Sequence, residues 1–300
     1  MKIFVILNGV SRKKEKFYRD ILPPLQTKFD CSVAETRYSG HAIQLAREAT
    51  HQNFECIISC GGDGTLNQVL NGMLSDGFEN LPKLAILPLG SGNDFAGSCS
   101  LQLERQQLIS LLEKNNPIAT DVGKIICNDL SGTPIKKYFL NVASVGMGPA
   151  TVERMEKLPR WMGSDLRYLA AILHTFFTHR PTHLSIKTES WNWAGKARVW
   201  AMANGQSFGN RIYIAPQSTP NDGIFDTFLA SDVPLLKFLI YLQQLKGKKN
   251  INDSKIQYNQ GRYFEMTASQ NLAIEADGEI QGYLPAKVEL LSNRILIFRQ

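Results

Sequence analysis

The feature that most constrains the fold is an apolar segment that ends in a glycine-rich turn and continues at once into a helical pattern. Residues 54–67 read FECIISCGGDGTLN, and apolar residues recur at helical spacing beyond the turn, at Leu66, Val69, Leu70 and Met73. Such a strand–turn–helix unit predicts a phosphate site, because glycines let the backbone approach a ligand and the helix N-terminus favours negative charge. Asp63 would repel a bare phosphate, so we expect a divalent metal to accompany a nucleotide.

Two better-known phosphate loops do not fit this turn. The chain has no GxxxxGK[ST] sequence here, and the third glycine of a GxGxxG pattern counted from Gly62 is replaced by Asn67. Taken alone, the turn is equally typical of an ordinary tight strand–helix connection.

A second segment repeats the same order of features. The apolar residues 84–89, LAILPL, are followed by GSGNDF at residues 90–95. Because the carboxyl ends of neighbouring parallel strands face one crevice, we expect both turns to contact the same nucleotide. Ser91, Asn93 and Asp94 are also good helix-capping residues, which is compatible with that interpretation.

The two turns together resemble a known family. GGDGTLNQVLNG at residues 61–72 and LPLGSGNDFA at residues 87–96 are similar to the catalytic domain of the diacylglycerol kinase family, close to its soluble bacterial lipid kinase branch in the NAD kinase/diacylglycerol kinase superfamily. The resemblance extends from Asn8 to the ADGE sequence at residues 276–279. It implies an ATP- and Mg²⁺-dependent kinase that transfers the γ-phosphoryl group to a hydroxyl of diacylglycerol or a related lipid alcohol.

The resemblance also implies roles for particular residues. The nucleotide-binding positions are Asn8, Thr36, Gly61, Gly62, Asp63, Gly64, Thr65, Leu66, Asn67 and Ser91. The implied catalytic residues are Asp63, which organises the nucleotide metal, and Glu279, which accepts the proton of the acceptor hydroxyl. The implied Mg²⁺ ligands are the side chain of Asp222 and the carbonyls of Thr219 and Ile224, and Asp121 is expected near the metal. From the residues alone, Asp277-Gly278 is equally typical of a hairpin turn with Glu279 as a solvated flank, and Asn221-Asp222-Gly223 is typical of a turn between strands.

The chain changes texture near residue 126. Before it, apolar strands at residues 2–7, 31–35, 55–59 and 84–87 alternate with helices, which predicts a parallel α/β sheet. After it, short alternating segments separated by turns predict an antiparallel β-sandwich, interrupted by helices near residues 165–179 and 235–245. We therefore expect a Rossmann-like nucleotide-binding domain at residues 1–126, completed by residues 286–300, and a β-sandwich lipid-substrate domain at residues 127–285.

Charge and composition limit the partners and the location. A net charge of +6 suits anionic ligands such as phosphates and acidic lipid surfaces, whereas the absence of a recognition motif argues against nucleic acid. Five cysteines without a CxxC pair indicate reduced thiols. The sequence has no run of eighteen apolar residues, so we expect no membrane-spanning helix. We expect a cytoplasmic protein that contacts the membrane surface peripherally. The basic amphipathic helix at residues 165–179 could lie in the membrane interface, or it could pack on the sandwich instead. An exposed sandwich edge could support a homodimer.

Three alternatives remain open at this point. The first is a superfamily kinase that acts on a soluble acceptor such as NAD, and the second is a kinase for a sphingoid base or phosphatidylglycerol. The third is a non-catalytic protein that senses a nucleotide or a lipid, although the presence of both Asp63 and Glu279 argues against it.

Overall fold

The computed structural model describes residues 1–102 and 104–299, which form two compact units. Unit 1 comprises Met1–Thr120 and the C-terminal residues from Asn293, and unit 2 comprises Asp121–Ser292. The predicted combination of a parallel α/β domain with an antiparallel β-sandwich is confirmed. The predicted domain limits at residues 126 and 286 stay a prediction.

Unit 1 alternates strands with helices. Its elements are β1 (Lys2–Leu7), α1 (Lys14–Lys16), a π-helical segment (Phe17–Ile21), α2 (Leu22–Lys28), β2 (Asp30–Glu35), α3 (His41–His51), β3 (Cys56–Gly61), α4 (Asp63–Leu74), β4 (Lys83–Pro88), α5 (Asp94–Ser98) and α6 (Arg105–Lys114). The next strand, β5 (Ile118–Asn128), begins in unit 1 and continues into unit 2.

The sheet of unit 1 is parallel, and its central strand β3 is buried on both faces. Its strand order is β2–β1–β3–β4, and Ile297 near the C-terminus pairs in parallel with Leu84 of β4. Every residue of β3 is buried, which explains its nearly continuous apolar sequence. Helices α3 and α4 pack closely on each other, since a Cβ on Gly72 of α4 would lie 2.3 Å from the carbonyl oxygen of Ile43 in α3.

Unit 2 consists of antiparallel strands and three longer helices in its described residues. Its elements after β5 are β6 (Pro134–Phe139), β7 (Val142–Gly146), α7 (Met147–Lys157), a 3₁₀ turn (Arg160–Met162), α8 (Ser164–Thr178), β8 (Thr182–Thr188), β9 (Asn192–Ala197), β10 (Val199–Ala203), β11 (Phe225–Ala230), α9 (Leu235–Lys246), β12 (Ile256–Gly261), β13 (Tyr263–Ala268), β14 (Ala273–Ala276) and β15 (Glu279–Ile297).

The strands of unit 2 divide its interior into two apolar cores. Along β10, Trp200 and Met202 point into the sandwich core, whereas Ala201 and Ala203 point toward α8 and α9. This alternation is the period of two that a strand imposes on its side chains. Small residues on the helix-facing side allow the helices to approach the sheet.

Two details of the predicted secondary structure are wrong. The helices near residues 165–179 and 235–245 are present as α8 and α9, but α7 is an additional helix. Its Gly148 and Pro149 are helix-breaking in general, yet both lie in the first turn, where proline is tolerated. The segments at residues 287–291 and 295–299, which the alternating pattern predicts as two separate strands, are joined in one long strand, β15, that continues through the left-handed Asn293 (φ 52°) to Ile297.

The described residues contain five free cysteines, four of them buried. Every helix in residues 1–102 and 104–299 is too short or too polar to cross a bilayer.

Candidate active site

The junction between β3 and α4 leaves the start of a helix without a covering side chain. Gly62 precedes α4 in an extended conformation (φ −98°, ψ −169°), and as a glycine it has no side chain to place over the first turn. The first N–H groups of a helix have no intrahelical partner and carry its positive dipole end, so this junction suits an anion. Gly61 is also required, since a Cβ there would lie 2.4 Å from Oγ1 of Thr65.

The second glycine-rich turn packs directly against the first. β4 lies beside β3 in parallel, and the amides of Leu89 and Gly90 donate to the carbonyl of Gly61 at 2.8 and 3.2 Å. A Cβ on Gly90 would lie only 2.4 Å from Cα of Gly62, so the two backbones touch. The side chain of Asn93 closes the second turn by accepting from the Gly90 amide at 3.1 Å and donating to its carbonyl at 2.9 Å. The two turns therefore form one surface.

Asp63 connects the two turns. Its carboxylate accepts hydrogen bonds from the backbone amides of Asp94 at 3.2 Å and Phe95 at 3.3 Å, at the start of α5. Those bonds make Asp63 a cap for the helix of the second turn. A carboxylate offers about four acceptor sites, so a cap and a metal ligand are not exclusive roles. The organisation of a nucleotide metal by Asp63 stays a prediction.

Residues that directly follow β1 and β2 brace the same turn. Asn8 Nδ2 donates to Thr65 Oγ1 at 3.0 Å, and the hydroxyl of Thr36 accepts from the Gly9 amide at 3.1 Å. Gly9 packs on the carbonyl of Thr36, where a Cβ would lie at 2.2 Å. The ends of three neighbouring strands are thus linked to the start of α4.

The other predicted nucleotide-binding residues differ in exposure. Leu66 and Asn67 are buried, so a ligand would meet their backbone rather than their side chains. Gly64 is partly exposed in the first turn of α4, and Ser91 is exposed in the second turn. All the predicted nucleotide-binding residues lie in unit 1.

In unit 2, Glu279 follows a hairpin turn that is held from outside. Asp277 (φ 52°) and Gly278 (φ 81°) both have left-handed backbones, as the two-residue turn between β14 and β15 requires. The carboxylate of Asp277 accepts from the amides of Leu140 at 3.0 Å and Asn141 at 2.9 Å. The hairpin is therefore tied to the connection between β6 and β7, and partly buried Glu279 starts β15 at a defined place.

The predicted metal ligands lie together in one exposed loop of unit 2. Asp222 accepts from the Thr219 hydroxyl at 2.9 Å and from the Ile224 amide at 3.1 Å. Asp121 lies in β5 rather than in a turn, and its carboxylate accepts from the Gly223 amide at 2.8 Å, which fixes the loop.

The oxygen donors of this loop suit Mg²⁺ chemically. The part of the chain that is described contains no cluster of three or more His, Cys, Asp or Glu residues that could hold a metal ion. A site with one carboxylate and two carbonyls would not form such a cluster, so the ligand set stays a prediction.

Comparisons with known proteins decide the family. Residues 2–125 match the diacylglycerol kinase catalytic domain, and residues 141–299 match the YegS C-terminal NAD kinase beta sandwich-like domain. A probable lipid kinase YegS-like protein of Yersinia enterocolitica is 30% identical over 296 residues, which cover 97% of this chain and 94% of that protein. The chain belongs to the bacterial lipid kinase family.

Further relatives agree with this assignment. A diacylglycerol kinase of Bacillus subtilis is 29% identical over 264 residues, covering 87% of this chain and 83% of its own. A crystal structure of a diacylglycerol kinase from Bacillus anthracis str. Sterne shares the fold, with a TM-score of 0.76, 21% identity, and coverage of 100% of this chain and 97% of the other. The predicted family and the prediction of a kinase are confirmed.

This lipid kinase also has an apolar cavity within unit 2. The cavity has a volume of about 660 Å³, including the part open to solvent, and its lining is almost entirely apolar. Ile172 of α8, Phe228 of β11, and Leu242 and Leu245 of α9 contribute to its walls. Arg198 also borders it, but its guanidinium donates to the carbonyl of Phe176 at 2.9 Å and to Asp232 Oδ1 at 2.5 Å, which satisfies part of its charge.

The helices beside this cavity expose apolar residues on their outer sides. The exposed residues of α8 are Leu166, Leu169 and Phe177, and those of α9 are Leu236, Leu239 and Ile240. Trp161, which lies shortly before α8, is exposed as well. The rings of Phe176 and Phe238 lie 4.5 Å apart, so α8 and α9 contact each other. We call this set of residues the apolar helix face.

Sequence reasoning assigned no role to Glu275, although this residue of the lipid kinase is buried beside the Glu279 hairpin. Burial raises the pKa of Glu275 to about 8, against hydrogen bonds from Ser144 and the Gly278 amide, which lower it. The only available signal was a glutamate in the otherwise apolar strand sequence LAIEA at residues 272–276.

Proposed function

We propose that this protein transfers the γ-phosphoryl group of ATP, with Mg²⁺, to a hydroxyl of diacylglycerol or a related lipid alcohol. The observation that carries the proposal is the contact between Gly62 and Gly90, which joins two glycine-rich turns at the start of α4. Membership of the lipid kinase family gives the reaction class.

The nucleotide is held mainly by backbone in this proposal. N–H groups of the first turn of α4, around Gly64 and Thr65, donate to phosphate oxygens, and exposed Ser91 adds a hydroxyl from the second turn. Mg²⁺ would neutralise charge on the transferring phosphoryl group. Asp63 is the residue proposed to organise this nucleotide metal. The loop of Thr219, Asp222 and Ile224 is proposed to hold a structural or assisting Mg²⁺ through its oxygen donors.

Glu279 is the proposed proton acceptor. A lipid hydroxyl is a weak nucleophile, and a positioned carboxylate that removes its proton during transfer contributes about 10²–10⁴-fold to the rate. The turn before Glu279 has a left-handed backbone, and its Asp277 accepts hydrogen bonds from the backbone amides of Leu140 and Asn141. This turn therefore gives the Glu279 carboxylate a rigid support.

The apolar cavity favours a lipid over a soluble acceptor. A nucleotide acceptor such as NAD needs polar partners, whereas the walls at Ile172, Phe228 and Leu242 offer almost none. An acyl chain gains about 0.8 kcal/mol for each CH₂ group that it buries there.

We further propose that the protein is cytoplasmic and meets the membrane surface through the apolar helix face. Trp161, Phe177 and Leu236 are 83%, 68% and 71% exposed, which is unusual for large apolar side chains unless they contact a partner. Lysines that follow α9, at Lys248 and Lys249, add attraction to anionic head groups. A homodimer formed through a sandwich edge stays a prediction.

The test is a phosphate-transfer assay. The protein is incubated with labelled ATP, Mg²⁺ and a total lipid extract, and in parallel with NAD, and the labelled product is identified. We expect label in a lipid only, and we expect Glu279→Gln to abolish it while ATP affinity stays nearly unchanged.

The alternatives predict different products. Label in NAD would support the soluble-acceptor kinase, and label in a sphingoid base or in phosphatidylglycerol would keep the reaction but change the acceptor. Binding of ATP without transfer to any acceptor would support a sensing protein and refute the proposed activity.

A further inference from the structure

Glu275 is a carboxyl group in a place where strands carry apolar side chains. It lies in β14 between Ile274 and Ala276, both fully buried, and is itself 1% exposed. The pairing of β14 with β15 shifts register between Ile274 and Glu275, an irregularity of the kind that redirects a side chain. The proposed functions above give this residue no task.

Both oxygens of Glu275 have partners that belong to the hairpin or to its neighbour strand. Oε1 is hydrogen-bonded to the hydroxyl of Ser144, the residue that it pairs with on β7. Oε2 accepts from the amide of Gly278 at 3.3 Å. Gly278 is the second turn residue and directly precedes Glu279, so the carboxyl group supports the turn from inside the protein.

Among the described residues, none of the groups that interact with the Glu275 carboxyl group is a cation that could compensate a negative charge. β7 contributes Ser144, and α7 contributes Gly148, where a Cβ would lie 2.0 Å from the Ser144 hydroxyl oxygen and 3.3 Å from Oε1. The turn contributes the carboxylate of Asp277, whose charge raises the pKa of Glu275 further. A buried acid whose charged neighbour is another carboxylate, and whose pKa is raised to about 8, is mostly neutral at pH 7.

We infer that Glu275 is a positioning residue that, as a neutral acid bonded to Ser144 and the Gly278 amide, holds the turn that presents Glu279 for proton transfer. This inference rests on the proposed role of Glu279. The neutral acid can form hydrogen bonds with both Ser144 and the Gly278 amide, since a carboxylic acid has one O–H donor as well as oxygen acceptors. Ionisation would place an unpaired charge in the interior beside Asp277, and the turn would open to admit water.

The inference makes separate predictions for two substitutions. Glu275→Gln is a neutral analogue whose amide can donate to Ser144 and accept from Gly278, so we expect parental kcat at pH 7. The wild type should lose activity above pH 8 as Glu275 ionises, and the glutamine variant should not show this loss. Glu275→Ala removes the support of the turn, and we expect kcat to fall about 100-fold with KM for ATP unchanged.

A second measurement does not require kinase activity. The folded protein keeps Glu275 protonated while the unfolded chain ionises near pH 4.5, so the wild type loses stability from about pH 4.5 to about pH 8 and levels off above. The Tm of Glu275→Gln relative to the wild type should therefore rise across that range. Amide exchange of residues 277–279, measured by mass spectrometry, should be faster in Glu275→Ala and unchanged in Glu275→Gln.

The control is Glu265→Gln in β13, a partly exposed glutamate of the same unit that is ion-paired with Lys287 at 2.8 Å. It should change neither the pH profile of kcat nor the exchange at the turn. Equal loss of kcat in the Gln and Ala variants at pH 7, or an unchanged alkaline limb in Glu275→Gln, would overturn the inference. If the wild type phosphorylates no lipid, the proposed function fails, while the Tm and exchange data still decide whether a neutral Glu275 holds the turn.

Discussion

Gly90→Ala tests whether the backbone contact between the two glycine-rich turns holds the nucleotide. The new Cβ would lie 2.4 Å from Cα of Gly62 and 2.8 Å from Oδ1 of Asn93. Carbon atoms in contact are normally separated by about 3.5–4.0 Å, so the turns must separate by about 1 Å or more. Gly90 does not have a left-handed backbone, so the added methyl group alone causes the change.

The expected size follows from overpacking. Forcing such a contact costs about 1–3 kcal/mol, and a displacement of about 1 Å at a reacting group can cost about 100-fold in rate. We expect kcat/KM for ATP to fall between about 10- and 100-fold, measured by labelled phosphate transfer to lipid. The stabilisation of Tm by saturating ATP should shrink in parallel.

Gly97→Ala is the matched control. Gly97 lies in α5, directly after the same turn, and a Cβ there would meet no atom within 4 Å. Alanine should be neutral or stabilise α5 by up to about 1 kcal/mol, with parental kinetics. If Gly90→Ala keeps the parental kcat/KM and the full ATP-induced shift in Tm, the contact between the turns does not hold the nucleotide and the reasoning is wrong.

Three further substitutions separate the other roles. Asp63→Asn should lower the Tm modestly, because Asn offers one oxygen where two α5 amides now donate to two, and a lost hydrogen bond to a charged group costs about 1.5–3 kcal/mol. It should lower kcat about 100-fold if the charge holds a metal, whereas unchanged kcat would leave Asp63 as a cap alone. Ile172→Trp fills the apolar cavity and should raise KM for long-chain lipid without affecting KM for ATP. If short-chain and long-chain lipids have equal KM values in the wild type and in the variant, the cavity is not an acyl-chain site. Ile240→Asp alters an exposed position of the apolar helix face, so it should preserve the Tm but reduce co-sedimentation of the protein with anionic vesicles. Full retention of the variant on vesicles would exclude this face as the membrane contact.

Local patterns were sufficient for the framework and for the position of the two turns. The predicted strands end within two residues of the ends of β3 and β4, and the helical spacing from Leu66 predicts α4, since both features arise from short-range periodicity. α7 was missed because Gly148 and Pro149 disfavour a helix unless their place in its first turn is known. The two segments near the C-terminus belong to one strand because pairing partners elsewhere in the chain hold the long β15 together.

The amino-acid sequence by itself determined the α/β and β-sandwich classes, the kinase family and the identity of the glycine turns, because these depend on periodicity and on residue types close together in the chain. Tertiary structure alone showed that Gly62 and Gly90 touch, that Asp63 caps the helix of the other turn, and that Glu275 is buried behind the hairpin. Those properties depend on strands that pair across many residues and on the exclusion of water from their interior, which set both the distance between two loops and the protonation of an acid.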